Sequence, residues 1–228
     1  MQRSEHFRQQ STAHPKTLPV RAMPCFHLPT GDTVGAFVST AQTFEDHGYI
    51  SSNSADTSPP SVGNWLHEQI ISLDAYCRGV EMHTRPLTLP LPDVGLNAIS
   101  ELLTACTHAV AQTKFCPQEI SLEVSSAAIV ANPHRADEFM HTFRRNGFRV
   151  SVDARRNWGV SLSPTTWLFI DTLRFDMKHL EIDADLNSLL EHASQAGVAI
   201  VASNAKWRDA DYLKTLGVLY GLSPRADA

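Results

Sequence analysis

Short apolar runs alternate with amphipathic segments along the second half of the sequence. The runs that predict strands are residues 119–124, 148–152, 168–175 and 198–202. Apolar residues spaced three and four apart predict helices over residues 94–110, 136–146, 186–196 and 210–216. Gly147 and Gly197 each end a helical segment just before a strand, which is typical of a helix C-terminal glycine. Repeated β-then-α units of this kind predict parallel strands joined by helical crossovers.

Such units either close into a (βα)8 barrel or form an open, doubly wound sheet. No GxGxxG or GxxxxGK[ST] motif follows a predicted strand, so the usual signature of nucleotide-binding open sheets is missing. Near the start of the chain, two extended segments, residues 18–28 and 33–40, flank a turn sequence at 29–32, which predicts a β-hairpin. We therefore expect an α/β fold, a (βα)8 TIM-like barrel in which the N-terminal hairpin supplies one antiparallel strand.

Charge and composition exclude several classes of protein. The 228 residues include 19 Lys and Arg against 24 Asp and Glu, a formal net charge of −5, which argues against a general binder of nucleic acid or anionic membranes. Hydrophobic residues make up 43% of the chain, enough to exclude wholesale disorder. No apolar stretch approaches the ~18 residues of a membrane-spanning helix. Four scattered cysteines without a CxxC pair, and a polar N-terminus unlike a secretory signal, favour a cytoplasmic location.

The domain organisation predicted from these patterns is simple. Residues 1–17 are rich in Gln, Ser, Arg and His, lack a hydrophobic period and are expected to form a flexible N-terminal tail. Residues 18–228 are expected to form the barrel domain. Within it, residues 51–61 have no apolar anchor and predict a loop.

Seven short segments give the sequence a more specific character. They are residues 23–36 (MPCFHLPTGDTVGA), 63–66 (GNWL), 122–126 (LEVSS), 147–153 (GFRVSVD), 173–176 (LRFD), 201–206 (VASNAK) and 216–221 (LGVLYG). In order and spacing they resemble the motifs of the EAL-type cyclic-di-GMP phosphodiesterases, over about residues 18 to 225. The resemblance implies that family's fold, a (βα)8 barrel with one antiparallel strand.

The resemblance also implies where the family's chemistry would lie, and most of those positions have changed. In the family, two divalent metal ions are held by carboxylates and an asparagine at the strand ends. Four positions of the family's metal ligands are occupied here by Phe37, Pro90, Ala154 and Ser203. The family's lysine corresponds to Arg174, and its late glutamine corresponds to Tyr220. The positions of a loop glutamate, a phosphate-binding arginine and the opening glutamine correspond to Ser126, Ala41 and Met23.

Glu123 and Asp153 remain, with Asp176 beside them. Two carboxylates cannot hold a dinuclear cluster at useful affinity, and no general base is left to activate water. The sequence therefore predicts a degenerate phosphodiesterase fold that is not an enzyme and holds no cofactor. Glu123 and Asp153 could form a residual mononuclear metal pair, but polar residues at strand ends are the favoured interpretation. The 11 histidines are dispersed and predict no zinc site.

Basic and aromatic residues are expected where the family carries its acidic site. Arg155 and Arg156 follow Asp153 and could attract an anionic ligand, although a solvated loop with local charge pairs is the favoured alternative. Trp158, Trp167 and Trp207 lie in segments expected near the barrel mouth and either contact a partner or fill the emptied site as core residues. The candidate partner-binding residues are Arg155, Arg156, Trp158 and Trp207.

Three functional hypotheses follow from these residues. The first is a regulatory protein of bacterial signalling, controlling transcription or motility through protein–protein interaction. The second is a cyclic-di-GMP receptor that binds without cleaving. The third, an enzyme with residual or altered hydrolysis, has the least support because the ligand set is so reduced. We expect a protein regulator as the main partner and no direct contact with nucleic acid or membrane.

Overall fold

The computed structural model describes residues 20–40, 61–156, 162–180 and 184–222. The predicted tail at 1–17, nearly all of the predicted loop at 51–61, and Trp158 lie outside the described residues.

Eight strands form a closed barrel in sequence order. They are β1 (Val20–His27), β2 (Thr33–Thr40), β3 (Leu87–Pro90), β4 (Ile120–Ser125), β5 (Arg149–Asp153), β6 (Thr172–Asp176), β7 (Ala199–Ser203) and β8 (Tyr220–Leu222). Strand β1 runs antiparallel to both of its neighbours, β2 and β8. Every other neighbouring pair is parallel. The predicted barrel with one antiparallel strand from an N-terminal hairpin is therefore confirmed.

Helices connect the parallel strands on the outside of the barrel. They are α1 (Val62–Gly79), α2 (Ile99–Gln112), α3 (Ser126–Ala131), α4 (Pro133–Arg145), α5 (Pro164–Trp167), α6 (Ala184–Gln195) and α7 (Ala210–Thr215). Short 3₁₀ helices cover Asp93–Asn97, Pro117–Glu119, Met177–His179 and Trp207–Asp209. The turns at Gly147 (φ 85°) and Gly197 (φ 75°) are in the left-handed region, as the helix-ending glycines predict.

Two elements differ from the sequence prediction. The helix predicted over residues 94–110 is divided at Ala98 into a 3₁₀ helix and α2. The strand predicted over 168–175 begins only at Thr172, because α5 and the turn after it take up the preceding residues. Ser163 caps α5 by accepting a hydrogen bond from Thr166 N at 3.1 Å, and Pro164 occupies its first position, where the missing N–H costs nothing.

Hydrophobic side chains form two separate layers. The larger layer lies between the strands and the helices and contains the fully buried Phe139, Phe143, Phe148 and Phe175. The smaller one lies inside the barrel and consists of Cys25, Phe37, Val201 and Leu222. Strands β1, β2, β7 and β8 therefore give one side of the barrel interior an apolar lining. Among the described residues, no helix has the length and apolarity needed to cross a membrane.

Candidate functional site

Charged side chains line the opposite side of the barrel interior. On β4, β5 and β6, every second residue is apolar and faces the helices, as Val124, Val152 and Leu173 do. Side chains on a strand point alternately to the two faces of the sheet, so Glu123, Asp153, Arg174 and Asp176 face inward. Asp153 is the last residue of β5 and pairs in register with Arg174. Parallel strands end at one edge of a barrel, where most barrels of this type place their functional residues.

The guanidinium of Arg174 lies between the two carboxylates that the sequence retains. Its Nη2 donates to Oε2 of Glu123 and, at 3.1 Å, to Oδ2 of Asp153. The Arg174 side chain is 6% exposed and that of Glu123 1% exposed, so the ion pair is almost completely removed from water. The other side of the guanidinium lies over the ring of Phe37, with Cζ 4.6 Å from the ring centroid, a cation–π contact.

A second arginine holds Asp153 from the solvent side. Arg155 Nη2 donates to Asp153 Oδ2 at 2.7 Å, and Arg155 Nε lies 2.9 Å from Oδ1. The backbone N–H of Arg155 also donates to Oδ1, at 3.1 Å. We refer to Glu123, Asp153, Arg155 and Arg174 as the carboxylate–arginine cluster. It contains two acidic and two basic side chains joined by charge-assisted hydrogen bonds, so its formal charges balance without a metal ion.

Burial and charge act differently on the two carboxyl groups. Burial raises the pKa of Glu123 to about 7, even though the charge of Arg174 opposes the shift. Burial also acts to raise the pKa of Asp153, but the hydrogen bonds from Arg155 and the charge of Arg174 outweigh it and hold that pKa below its ordinary value. The difference follows from their surroundings, because Asp153 is 20% exposed and bonded to two arginines.

Asp176 has separate partners, although it lies only two residues after Arg174 on β6. Its Oδ1 accepts from the backbone N–H of Lys178 at 3.1 Å, and its Oδ2 lies 3.2 Å from Lys178 Nζ. Burial alone would raise its pKa, but hydrogen bonds from Asn204 and Lys178 lower it below the ordinary value. The three acids that the sequence singles out therefore do not converge on one point.

The residues at the family's ligand positions bring few oxygen ligands to this edge. Phe37 is buried against Arg174, and Ala154 is buried in the outer core. Pro90 is exposed at the end of β3, and Ser203 is buried at the end of β7. Within the described residues, no group of three or more His, Cys, Asp or Glu is arranged to hold a metal ion. The donor set does not fit a dinuclear metal centre, because both carboxylates of the cluster are already bonded to arginine.

The candidate partner-binding residues are not all brought together. Arg155 is part of the cluster, and Arg156 is exposed beside it. Trp207 lies elsewhere, since its ring contacts Phe26 on β1, with centroids 5.5 Å apart, and reaches the hairpin turn at Gly31. That turn precedes β2, at the end of the barrel opposite to Asp153. After β7, Ala205 packs beside Gly221 of β8 and Trp207 packs against Phe26 of β1, away from the expected mouth.

Two residues have a role that the motifs do not predict. The motifs identify Arg174 only as a replaced lysine and Phe37 only as a replaced glutamate, whereas in the structure the two side chains form one cation–π contact. A signal was present: an arginine and an aromatic residue replace a lysine and a carboxylate among alternating inward positions. Trp167 is buried, 8% exposed, and belongs to the outer core between strands and helices, so it neither fills the emptied site inside the barrel nor is exposed for a partner.

Comparison with known proteins supports the fold and gives no close relative. No protein-family model matches the sequence, and no curated protein sequence matches it. Solved structures do match. One is the PaMucR phosphodiesterase in complex with c-di-GMP, with 16% identity, a TM-score of 0.68, and coverage of 91% of this chain and 89% of the other.

Two further matches have the same architecture. The EAL domain of Mycobacterium smegmatis DcpA has 16% identity, a TM-score of 0.66 and 90% coverage of both chains. Klebsiella pneumoniae BlrP1 in its manganese and cyclic-di-GMP complex has 12% identity and a TM-score of 0.64, covering 96% of this chain and 56% of the other. The resemblance seen in the sequence is thus confirmed for the fold. This chain has the fold of an EAL domain.

Proposed function

We propose that this protein is a catalytically inactive, EAL-like regulatory protein that acts by binding another protein in bacterial signalling, for example in the control of transcription or motility. A single observation carries the proposal. The guanidinium of Arg174 bridges Glu123 and Asp153, the two carboxylates that remain at the family's ligand positions. Hydrolysis of a phosphodiester by two metal ions needs several oxygen ligands that are free to bind them.

Phe37 supports the same conclusion. The solved structure of BlrP1, which shares this fold, is a complex with manganese and cyclic-di-GMP. Here an aromatic ring faces Arg174, and the apolar cluster of Cys25, Val201 and Leu222 continues from that ring across the barrel interior. Apolar side chains offer no ligand to Mg²⁺ or Mn²⁺, so this half of the interior cannot complete a metal site.

A metal titration tests the observation on which the proposal depends. Calorimetry with Mn²⁺ is expected to show no saturable binding to the purified protein. Glu123→Gln should behave like the wild type, because there is no metal site to lose. The matched control is Glu138→Gln, which neutralises an exposed glutamate on α4. Saturable binding that disappears in Glu123→Gln and persists in Glu138→Gln would contradict the proposal.

The partner is expected to bind at the carboxyl-terminal edge of the barrel, where Arg156 is exposed. Arginine is enriched at binding hot spots, so Arg156→Glu is expected to weaken partner binding by about 2 kcal/mol, roughly 30-fold. Trp158→Ala carries the same expectation. A pull-down from native cell extract identifies the partner. The affinity of each variant for that partner is then measured and compared with that of the wild type. Arg145→Glu reverses an exposed charge at the end of α4, toward the other end of the barrel, and should bind normally.

A receptor that binds cyclic-di-GMP without cleaving it is the second candidate. It is favoured by Arg155 and Arg156 at the edge of the barrel and by the c-di-GMP complex of PaMucR, which shares the fold. Arginine suits a phosphate ligand because its guanidinium forms paired hydrogen bonds. Calorimetric titration with cyclic-di-GMP separates the two candidates. A docking protein gives no binding heat, whereas a receptor gives saturable binding that Arg156→Glu weakens.

A further inference from the structure

Several buried polar atoms inside the barrel have no hydrogen-bond partner within the described part of the chain. They are Glu123 Oε1, Arg174 Nε and the hydroxyl oxygens of Ser121, Ser151 and Ser203. Each of these residues is between 0% and 6% exposed. Leaving a buried polar atom without a hydrogen bond costs about 1–3 kcal/mol, so five in one region need an explanation.

The five residues lie at inward positions on four neighbouring strands, β4 to β7. Ser121 and Glu123 are two residues apart on β4, and Glu123 pairs in register with Ser151 on β5. Arg174 projects from β6, the next strand, and bonds back to Glu123. Ser203 lies beyond it on β7 and pairs with Asp176. We call this group of Ser121, Glu123, Ser151, Arg174 and Ser203 the interior polar cluster.

We propose that the interior polar cluster is a binding site for ordered water molecules, which join Glu123, Ser151 and Arg174 through hydrogen bonds inside the barrel. The chemistry of the atoms selects this ligand. A cation is disfavoured because Arg174 carries a positive charge and a free N–H donor. An anion is disfavoured because the guanidinium of Arg174 is already paired with Glu123. Water accepts from an N–H group and donates to a carboxylate and a hydroxyl at the same time.

Several inward positions of the barrel carry small side chains. Barrel interiors are usually filled by layers of bulky branched residues, contributed by alternate strands. Here β4, β5 and β7 each place a serine at an inward position. Buried waters typically make about three hydrogen bonds to groups that would otherwise be unsatisfied, and the cluster supplies that number. The inference concerns this interior alone and does not depend on the proposed function.

A crystal structure of the full chain, at a resolution that shows ordered solvent, tests the proposal directly. We expect density for water within hydrogen-bond distance of Glu123 Oε1, Ser151 Oγ and Arg174 Nε. A well-ordered interior without solvent at these atoms would overturn it.

The stability of Ser151→Ala provides a second test that needs no crystal. If water bonds to Ser151, the substitution removes one of its partners and should lower the melting temperature by about 2–4 °C. If the hydroxyl is buried dry and unsatisfied, the same substitution removes a cost, and the melting temperature should rise, which contradicts the proposal. Ser188→Ala on the exposed side of α6 is the control and should leave the melting temperature unchanged.

Discussion

Arg174 determines how the protein accommodates two acids inside its barrel. A carboxylate that is 1% exposed pays a large desolvation cost, and a single shared guanidinium nitrogen offsets only part of it. The raised pKa of Glu123, about 7, expresses that balance. The carboxyl group therefore binds its proton more tightly in the folded chain than in the unfolded chain, where its ordinary pKa is 4.5. Between these values the unfolded state releases the proton first, so the contribution of Glu123 to stability falls as the pH rises.

The pH dependence of stability gives a prediction for this one residue. A shift of the pKa from 4.5 to about 7 corresponds to about 3 kcal/mol. Glu123→Gln cannot titrate, so its free energy of unfolding relative to wild type should rise by about that amount from pH 4.5 to pH 8. Urea denaturation at a series of pH values measures the difference. A constant difference between the two proteins across this range would show that Glu123 does not titrate as described.

The helix-ending glycines show how an element can be predicted from local chemistry. The sequence predicts that Gly147 and Gly197 end their helices in the left-handed conformation, and both do. The sequence does not predict the short helix α5, because four residues are too few to display a 3.6-residue period. The arrangement around Arg174 is harder to predict from the sequence than either of these elements. A motif comparison identifies the replaced positions, but Arg174 and Glu123 are 51 residues apart, and only the closed barrel shows that they meet.

Gly197 also gives a quantitative prediction for the turn between α6 and β7. Its φ of 75° is unfavourable for a residue with a Cβ, while no atom lies within 4 Å of the position that a Cβ would take. Gly197→Ala should therefore cost about 1–2 kcal/mol through backbone strain alone. Gly79→Ala, at the end of α1, is the matched control. Its Cβ would also lie in open space, with no left-handed φ, so the substitution should be neutral or stabilising. Equal effects of the two substitutions in thermal denaturation would disprove the explanation.

The closed barrel makes a prediction about the ends of the chain. All eight strands lie between Val20 and Leu222, and β1 is already paired on both of its edges. Among the described residues, the closed barrel leaves no strand edge for residues 1–17 to join, so a chain without them should fold normally. Its melting temperature should stay within about 4 °C of that of the full chain, a shift on the order of 1–2 kcal/mol for a domain of this size. A larger decrease would place the domain boundary before residue 18.

The most direct measurement is an assay of cyclic-di-GMP hydrolysis by the purified protein with Mg²⁺ or Mn²⁺. Because Arg174 bridges Glu123 and Asp153, and Phe37 faces it in place of a ligand, product formation should equal that of a blank without protein. Product above the blank that disappears in Glu123→Ala, and persists when the exposed Glu138 is changed to Gln, would show that the site hydrolyses the dinucleotide and would contradict the proposed loss of catalysis.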